Sequence, residues 1–444
     1  MPRPTTSRFV RACLRQPVDR TPVWFLRQAG RYMPEYMAIR KHHSLLDICR
    51  TPSLAAEVTI TAAERLSVDA AIIFADLLLP LTPMGLDFEF VNGEGPIIHQ
   101  PLRTLDQVRA LRTDRTADLR YVSEAINKVA KHFASKGTGS GPSAMKRISS
   151  GDQPRISSGL QAAEKSALTQ GALAPEKMDA LGIIGFCGAP FTLASYMIEG
   201  GSSRSYIETK KLMYASPASD RIATQACHPD PEQREGEGSP HFANVGPPST
   251  SWPLLMGKLV TVLAAFAQQQ VEAGADVIQV FDSWAGALSV TDYRNYVLDP
   301  TKELIRRIQA FGVPVIYFGV DTASLLPTFR ETGADVIGLD WRIPLDEGWR
   351  AVGPNIAVQG NLDSITLFAP DNILEARVRE ILAQAANRPG HIFNLGHGIV
   401  PNTPVEAVLR VVDLVKHHGV HATPVLPTKP RANEPPAPEL KAHS

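Results

Sequence analysis

The sequence predicts a single (β/α)8 barrel, and three observations carry that prediction. Eight short, continuously apolar runs recur along the chain: Val23-Trp24-Phe25-Leu26, Ala70 to Ala75, Gly182 to Phe186, Asp276 to Phe281, Val313 to Phe318, Ala334 to Leu339, Ile356 to Gln359 and His391 to Leu395. Continuous rather than alternating hydrophobicity marks strands covered on both faces, and every spacer, at 15 residues or more, can hold a crossover helix. Polar residues then collect just past the runs, where the C-terminal strand ends of a barrel build its binding face.

Taken in order, the first run ends in Arg27-Gln28, the second in Asp76 and the third in Cys187-Gly188-Ala189-Pro190, where glycine and proline shape a turn. The fourth ends in Asp282-Ser283, the sixth in Asp340-Trp341-Arg342, the seventh in Gln359-Gly360-Asn361 and the eighth in Gly396-His397-Gly398. Two junctions repeat, Ala273-Gly274-Ala275-Asp276-Val277-Ile278 and Thr332-Gly333-Ala334-Asp335-Val336-Ile337. Each reads as a helix-ending glycine that feeds a strand.

Composition narrows the function classes. Forty-five basic side chains balance 45 acidic ones, so no global field favours nucleic acid or an anionic membrane, and any anion site is local. The four cysteines, Cys13, Cys49, Cys187 and Cys227, form no C-x-x-C pair, which argues against a disulfide framework or zinc cluster. With no secretory leader and no uncharged apolar run of membrane-spanning length, the expected location is the cytoplasm. Lys136 to Lys177, Pro217 to Ser251 and the Pro-rich tail 424–444 lack helical or strand periodicity and read as loops or disorder.

Arg27-Gln28-Ala29-Gly30-Arg31 sets two guanidiniums four residues apart around a glycine, with Arg40 following. Guanidiniums bind carboxylates and phosphates through paired charge-assisted hydrogen bonds, so this loop suits a polyanionic substrate. The alternative is an internal salt-bridge cluster with Glu35 or Asp76. Asp76 lies between two apolar runs, where an unpaired charge is costly and demands a partner; capping of the next turn is its structural alternative. His397 lies between two glycines in what reads as a flexible turn. Tyr196 falls four residues after Thr192, so both can face the mouth from one helix, though Tyr196 also suits a half-buried helix aromatic. Asp282-Ser283 reads equally as N-cap chemistry. The chain lacks H-x-H, H-E-x-x-H, a P-loop and a lysine directly after a strand.

Residues Pro22 to Tyr36 resemble the first signature of the uroporphyrinogen decarboxylase family, and Gly185 to Gly201 resemble the second. Phe74-Ala75-Asp76, Phe281 to Gly286, Gly338 to Trp341, Gln359 to Asp363 and Asn394 to Gly398 extend the resemblance in the family's order, from about Phe9 to His418. It implies one barrel domain over 9–418, with 136–177 and 217–251 as insertions, and a homodimer. It further implies decarboxylation of the four acetates of uroporphyrinogen III to give coproporphyrinogen III in heme biosynthesis, with no metal or organic cofactor.

By the same resemblance, Arg27, Gln28, Ala29, Gly30, Arg31 and Arg40 would hold the carboxylate-bearing substrate, and Asp76 would face the pyrrole N–H groups. Tyr196, Ser283 and His397 would line the cleft, with Asp76, Arg27, Tyr196 and His397 carrying the chemistry. Phe191 stands where some relatives have tryptophan. A zinc-dependent corrinoid or thiol methyltransferase of the same superfamily would need His and Cys ligands near the fifth and eighth strands, but Ile316 to Gly319 and Asn394 to Gly396 contain no Cys. A non-catalytic porphyrinogen-binding protein would keep the arginines without needing Asp76 or Tyr196.

Overall fold

The apolar runs become strands where the sequence marks them. The computed structural model describes residues 7–91, 95–137, 180–215 and 250–421. Its strands are β1 (Ala70–Ile72), β2 (Phe88–Val91), β3 (Gly95–Ile98), β4 (Gly182–Gly188), β5 (Val277–Asp282), β6 (Val315–Gly319), β7 (Val336–Gly338), β8 (Ala357–Gln359) and β9 (His391–Ile392). Seven of them form one sheet in the order β1-β4-β5-β6-β7-β8-β9, every neighbouring pair parallel. That is chain order, the result of laying successive βα units side by side.

The segment 22–26 closes the barrel as the eighth stave. Val23 bridges Phe393 in parallel, and Phe393 N donates to Pro22 O at 2.8 Å. On its other side Val23 O accepts from Asp69 N at 2.8 Å, just before β1. Regular pairing fails there because the Asp69 carboxylate itself takes the Val23 N–H, at 2.8 Å. The same carboxylate receives Arg8 at 2.8 Å and Arg20 at 2.8 and 2.7 Å, so a part-buried ion cluster pins the first stave to β1.

Helices cover the sheet. Ser251–Ala273 buries Leu255, Leu259, Val262, Leu263, Phe266 and Gln270, a stripe with helical period. Among the described residues it alone is long and apolar enough to cross a membrane, yet more than half of it is buried inside the protein. Gln270 explains one polar residue on that inner face: it accepts from Phe186 N at 2.9 Å and donates to Phe186 O at 3.0 Å. Gly274 ends this helix at φ 114° and feeds β5, as its junction in the sequence implies.

Two expectations change. The hairpin β2–β3 interrupts the βα rhythm between β1 and β4. It alternates as Phe88-Glu89-Phe90 before Asn92-Gly93, a hairpin signal that a search for continuous runs passes over. Gln359 and Asn361 do not add polar groups to the mouth. Gln359 accepts from Trp24 Nε1 at 3.1 Å inside the barrel, and Asn361 donates to the carbonyls of Asp340 and Ile343 at 2.8 and 2.7 Å. The stretches 136–177 and 217–251 and the tail 424–444 lie outside the described residues, except that 136 and 137 end the helix Arg120–Gly137 and that Thr250 and Ser251 lead into the helix Ser251–Ala273.

Candidate active site

The mouth is built by the turns that leave the staves. Arg27 leaves the first stave with a left-handed backbone, φ 58°, a conformation that costs a non-glycine residue energy and concentrates at functional sites. Its side chain passes over Gly398, where an added Cβ would lie 2.5 Å from Arg27 Cδ. Gly396 is likewise crowded, by the backbone of Trp341. The two glycines around His397 therefore provide room, for an arginine on one side and a neighbouring loop on the other. The sequence reading of a merely flexible turn is corrected accordingly.

Asp76 stands half-buried four residues beyond the end of β1. One carboxylate oxygen accepts from Leu78 N at 2.8 Å, so it does cap the following turn. Burial pushes its pKa up to about 6, while the Leu78 amide and the Arg27 charge pull the other way. Tyr196, on the helix Pro190–Glu199, is pushed up to about 12, chiefly by burial, with Asp76 and Tyr206 adding and Arg27 opposing. Arg27, Asp76 and Tyr196 thus lie within one another's electrostatic reach. At neutral pH they are a cation, a mostly ionised carboxylate and a neutral hydroxyl donor.

His397 sits edge-on to Trp341, with ring centroids 5.8 Å apart. Its Nδ1 faces the Gly398 carbonyl at 3.2 Å; a carbonyl only accepts, so Nδ1 carries the hydrogen and Nε2 is left as an acceptor. Burial lowers its pKa, and the charges of Arg27 and Arg342 lower it further, which keeps the ring neutral. Arg342 lies over Trp341 at 4.0 Å and pairs with Asp340 at 2.9 Å.

The arginine loop separates into roles. Among the described residues none of Arg27, Arg31 and Arg40 pairs with a carboxylate; Glu35 reaches Arg65, at 3.6 Å, instead. The salt-bridge alternative for this loop is thereby removed. Arg31 is exposed, and Arg40 ends the helix Pro34–Arg40 with its guanidinium on the His43 carbonyl. Both charges act on Tyr36, which packs on Phe74 at 5.2 Å, two residues from Asp76.

Gln28 turns inward. Its side chain accepts from Phe25 N at 3.4 Å and donates to Ala70 O at 3.2 Å, while its carbonyl takes the Tyr32 hydroxyl at 2.6 Å. It holds the loop and does not face the mouth, whereas Ala29 and Gly30 remain partly exposed beside it.

Thr192 is fully buried, in contrast to the expectation that it faces the mouth with Tyr196; its hydroxyl donates to Asp282 at 2.7 Å. Ser283 is half-buried at the turn after β5. Next to it, Trp284 stacks on Tyr196 with centroids 3.9 Å apart. Phe281 contacts Phe186 at 5.6 Å and Phe318 at 6.1 Å, giving the mouth an aromatic floor. In the sequence Phe281 and Trp284 stand out only as parts of a motif, and no local signal marks Arg50 and Tyr121, which meet beside Cys49 and Asp76. Among the described residues no three His, Cys, Asp or Glu side chains gather as a metal site.

The family model described as Uroporphyrinogen decarboxylase (URO-D) matches residues 4–143, 151–223 and 248–418. A protein named uroporphyrinogen decarboxylase from Koribacter versatilis (strain Ellin345) is 52% identical over 414 residues, 93% of this chain and 96% of that protein. Its counterpart from Solibacter usitatus (strain Ellin6076) is 45% identical over 413 residues, covering 93% and 98%. Among solved structures, a methyltransferase from Methanosarcina mazei superposes with TM-score 0.63 at 17% identity, over 93% of this chain and 98% of that one. At that identity the likeness speaks for the barrel alone.

Proposed function

The chain belongs to the uroporphyrinogen decarboxylase family, and from that premise we propose how its residues divide the family's reaction. The enzyme removes CO2 from the four acetate side chains of uroporphyrinogen III, giving coproporphyrinogen III in heme biosynthesis. Each round is redox-neutral. A proton adds to a pyrrole ring carbon, making an iminium-like cation; the acetate C–CO2 bond breaks and its electron pair flows into the ring. CO2 leaves, a second proton converts the exocyclic methylene to methyl, and the ring carbon gives up the first proton to restore the pyrrole, so one proton is consumed for each CO2 released.

Asp76 is the anion this cation needs. Its carboxylate accepts pyrrole N–H groups and stabilises the cation more than the neutral ring, so its effect falls on the transition state. Arg31 and Arg40, without carboxylate partners among the described residues, hold side-chain carboxylates at the rim, and Arg27 serves both that clamp and the electrostatics around Asp76. Tyr196 offers a hydroxyl donor, His397 a neutral Nε2, and Ser283, Ala29 and Gly30 line the cleft. The observation that carries this reading is the convergence of Arg27, Asp76 and Tyr196 from three separate elements onto one mouth.

The remaining expectations join the proposal. The barrel domain spans 9–418, with 136–177 and 217–251 as insertions, supported by breaks in the family match at 144–150 and 224–247. Cys13, Cys49 and Cys187 are free and buried, which suits a reducing cytoplasm. The enzyme works as a homodimer without a bound cofactor.

Anaerobic incubation with uroporphyrinogen III, with and without chelator, tests the whole. Loss of four carboxylates at equal rates in both is expected. No turnover, or turnover abolished by chelator, would overturn the cofactor-free decarboxylase.

A further inference from the structure

The residue with the most buried hydrogen bonding near the mouth is one that the mechanism above does not use. Asp282 ends β5 with no solvent exposure. Thr192 Oγ1 donates to its Oδ1 at 2.7 Å, and Tyr317 Oη donates to its Oδ2 at 2.6 Å. The Tyr317 hydrogen is thereby committed, so in the 2.7 Å contact between Tyr293 and Tyr317 it is Tyr293 that donates. A directed chain, Tyr293 to Tyr317 to Asp282, is met from the other side by Thr192. N-capping of its own downstream turn, the alternative offered by the sequence, is not what this carboxylate does.

What it meets is the start of another helix. Pro190–Glu199 has Ala189 at its N-cap, whose methyl group cannot accept a hydrogen bond, and Asp282 receives the Thr192 hydroxyl in that first turn. An anion at a helix N-terminus is favourable and fixes the helix end. Tyr196 lies one turn further along. Thr192 Oγ1 in turn accepts from Trp284 N at 3.3 Å, and the Trp284 ring stacks on Tyr196 at 3.9 Å, with Tyr206 edge-on to it at 5.2 Å. Both members of the Tyr196–Trp284 pair are therefore tied, through Thr192, to one carboxylate.

We infer that Asp282, acting through Thr192, is a positioning residue that sets the stacked Tyr196–Trp284 pair in the cleft. This rests on the decarboxylase reading above. Asp282 points away from substrate, into the layer where Tyr293, Tyr317 and Phe329 pack together. Its loss displaces the Tyr196 hydroxyl without touching the arginine clamp, which stands on other elements.

The test compares Thr192→Val, Thr192→Ser and Asp282→Asn in the full chain. Thr192→Val keeps the branched shape but removes the hydroxyl that joins Asp282 to Trp284. It should lower kcat roughly 10- to 100-fold, the scale of a small misplacement of a reacting group, with KM changed far less. Thr192→Ser, which restores the hydroxyl, should recover most of kcat. A readout independent of turnover is the near-UV circular dichroism lost on Trp284→Phe; this Trp284 signal should collapse in Thr192→Val and return in Thr192→Ser. Asp282→Asn should behave like Thr192→Val, and should it fail to fold, the threonine pair decides alone.

A folded Thr192→Val with wild-type kcat, or with reduced kcat but an intact Trp284 signal, would overturn the inference. So would a Thr192→Ser that is as impaired as Thr192→Val. Wild-type protein without turnover would count against the decarboxylase reading instead, and the dichroism would still judge the positioning.

Discussion

Two carboxylates near the mouth share one shift for different ends. Burial lifts both Asp76 and Asp282 to about 6, and in neither does a neighbour restore the ordinary value. At Asp76 burial outweighs the Arg27 charge, and ionisation at neutral pH survives by about one unit. An acid with a raised pKa takes up its proton sooner as pH falls, so the useful anion disappears below about 6. The acid limb of kcat/KM should accordingly fall through about pH 6, and steeply, because Asp282 titrates in the same range. His397, lowered by burial, is neutral above that range. A pH–rate profile flat between about pH 5 and 7 would contradict this. Arg27 and Asp76 were legible because they directly follow apolar runs, and His397 because it lies one glycine beyond one. Gln28 and Thr192 were not, since a turn or a helix start presents two faces and spacing alone does not say which is inward. Arg50 and Tyr121 arrive from helices, where no run ends to mark them.

At the scale of elements, buried strands are legible because both faces are apolar, and a hairpin with alternating residues falls outside that template. The first stave shows a second limit. Val23 to Leu26 read as a strand, but what holds them is the cluster of Arg8, Arg20 and Asp69, whose members lie 61 and 49 residues apart in sequence and carry no local signature. The Asp69 side chain is only 7% exposed, against 11% for Arg8 and 16% for Arg20. Removing one partner of such a cluster leaves desolvated charge behind. Asp69→Asn should therefore destabilise the fold by about 3 to 5 kcal/mol, measured by urea unfolding. Its kcat at low temperature should stay near wild type, because the cluster sits at the opposite end of β1 from Asp76. An unchanged unfolding midpoint would remove the cluster from the account of barrel closure.

For the whole molecule, eight apolar runs sufficed to predict closure, and seven parallel strands with one irregular stave realise it. Domain extent follows less directly, because composition marks 136–177 and 217–251 as unlike the rest without saying whether they serve the reaction. The first leaves at the end of the helix Arg120–Gly137 and rejoins ahead of β4, and the second lies between the helices Ile207–Tyr214 and Ser251–Ala273, so both are away from the C-terminal strand ends that carry the site. Loop length costs little entropy, so replacing either stretch with a short linker should preserve kcat, KM and the oligomeric mass by light scattering. A folded, shortened protein without activity would show that the stretch belongs to the machinery.

In the proposed mechanism the Asp76 charge, and not the arginine clamp, stabilises the cation formed on decarboxylation. Asp76→Asn keeps the volume and an acceptor but removes the charge. Single-turnover decarboxylation of bound uroporphyrinogen III by folded Asp76→Asn protein should slow by roughly 10²-fold or more, while substrate affinity changes little, as expected when one preorganised electrostatic group is lost. A single-turnover rate equal to wild type would take Asp76 out of the mechanism.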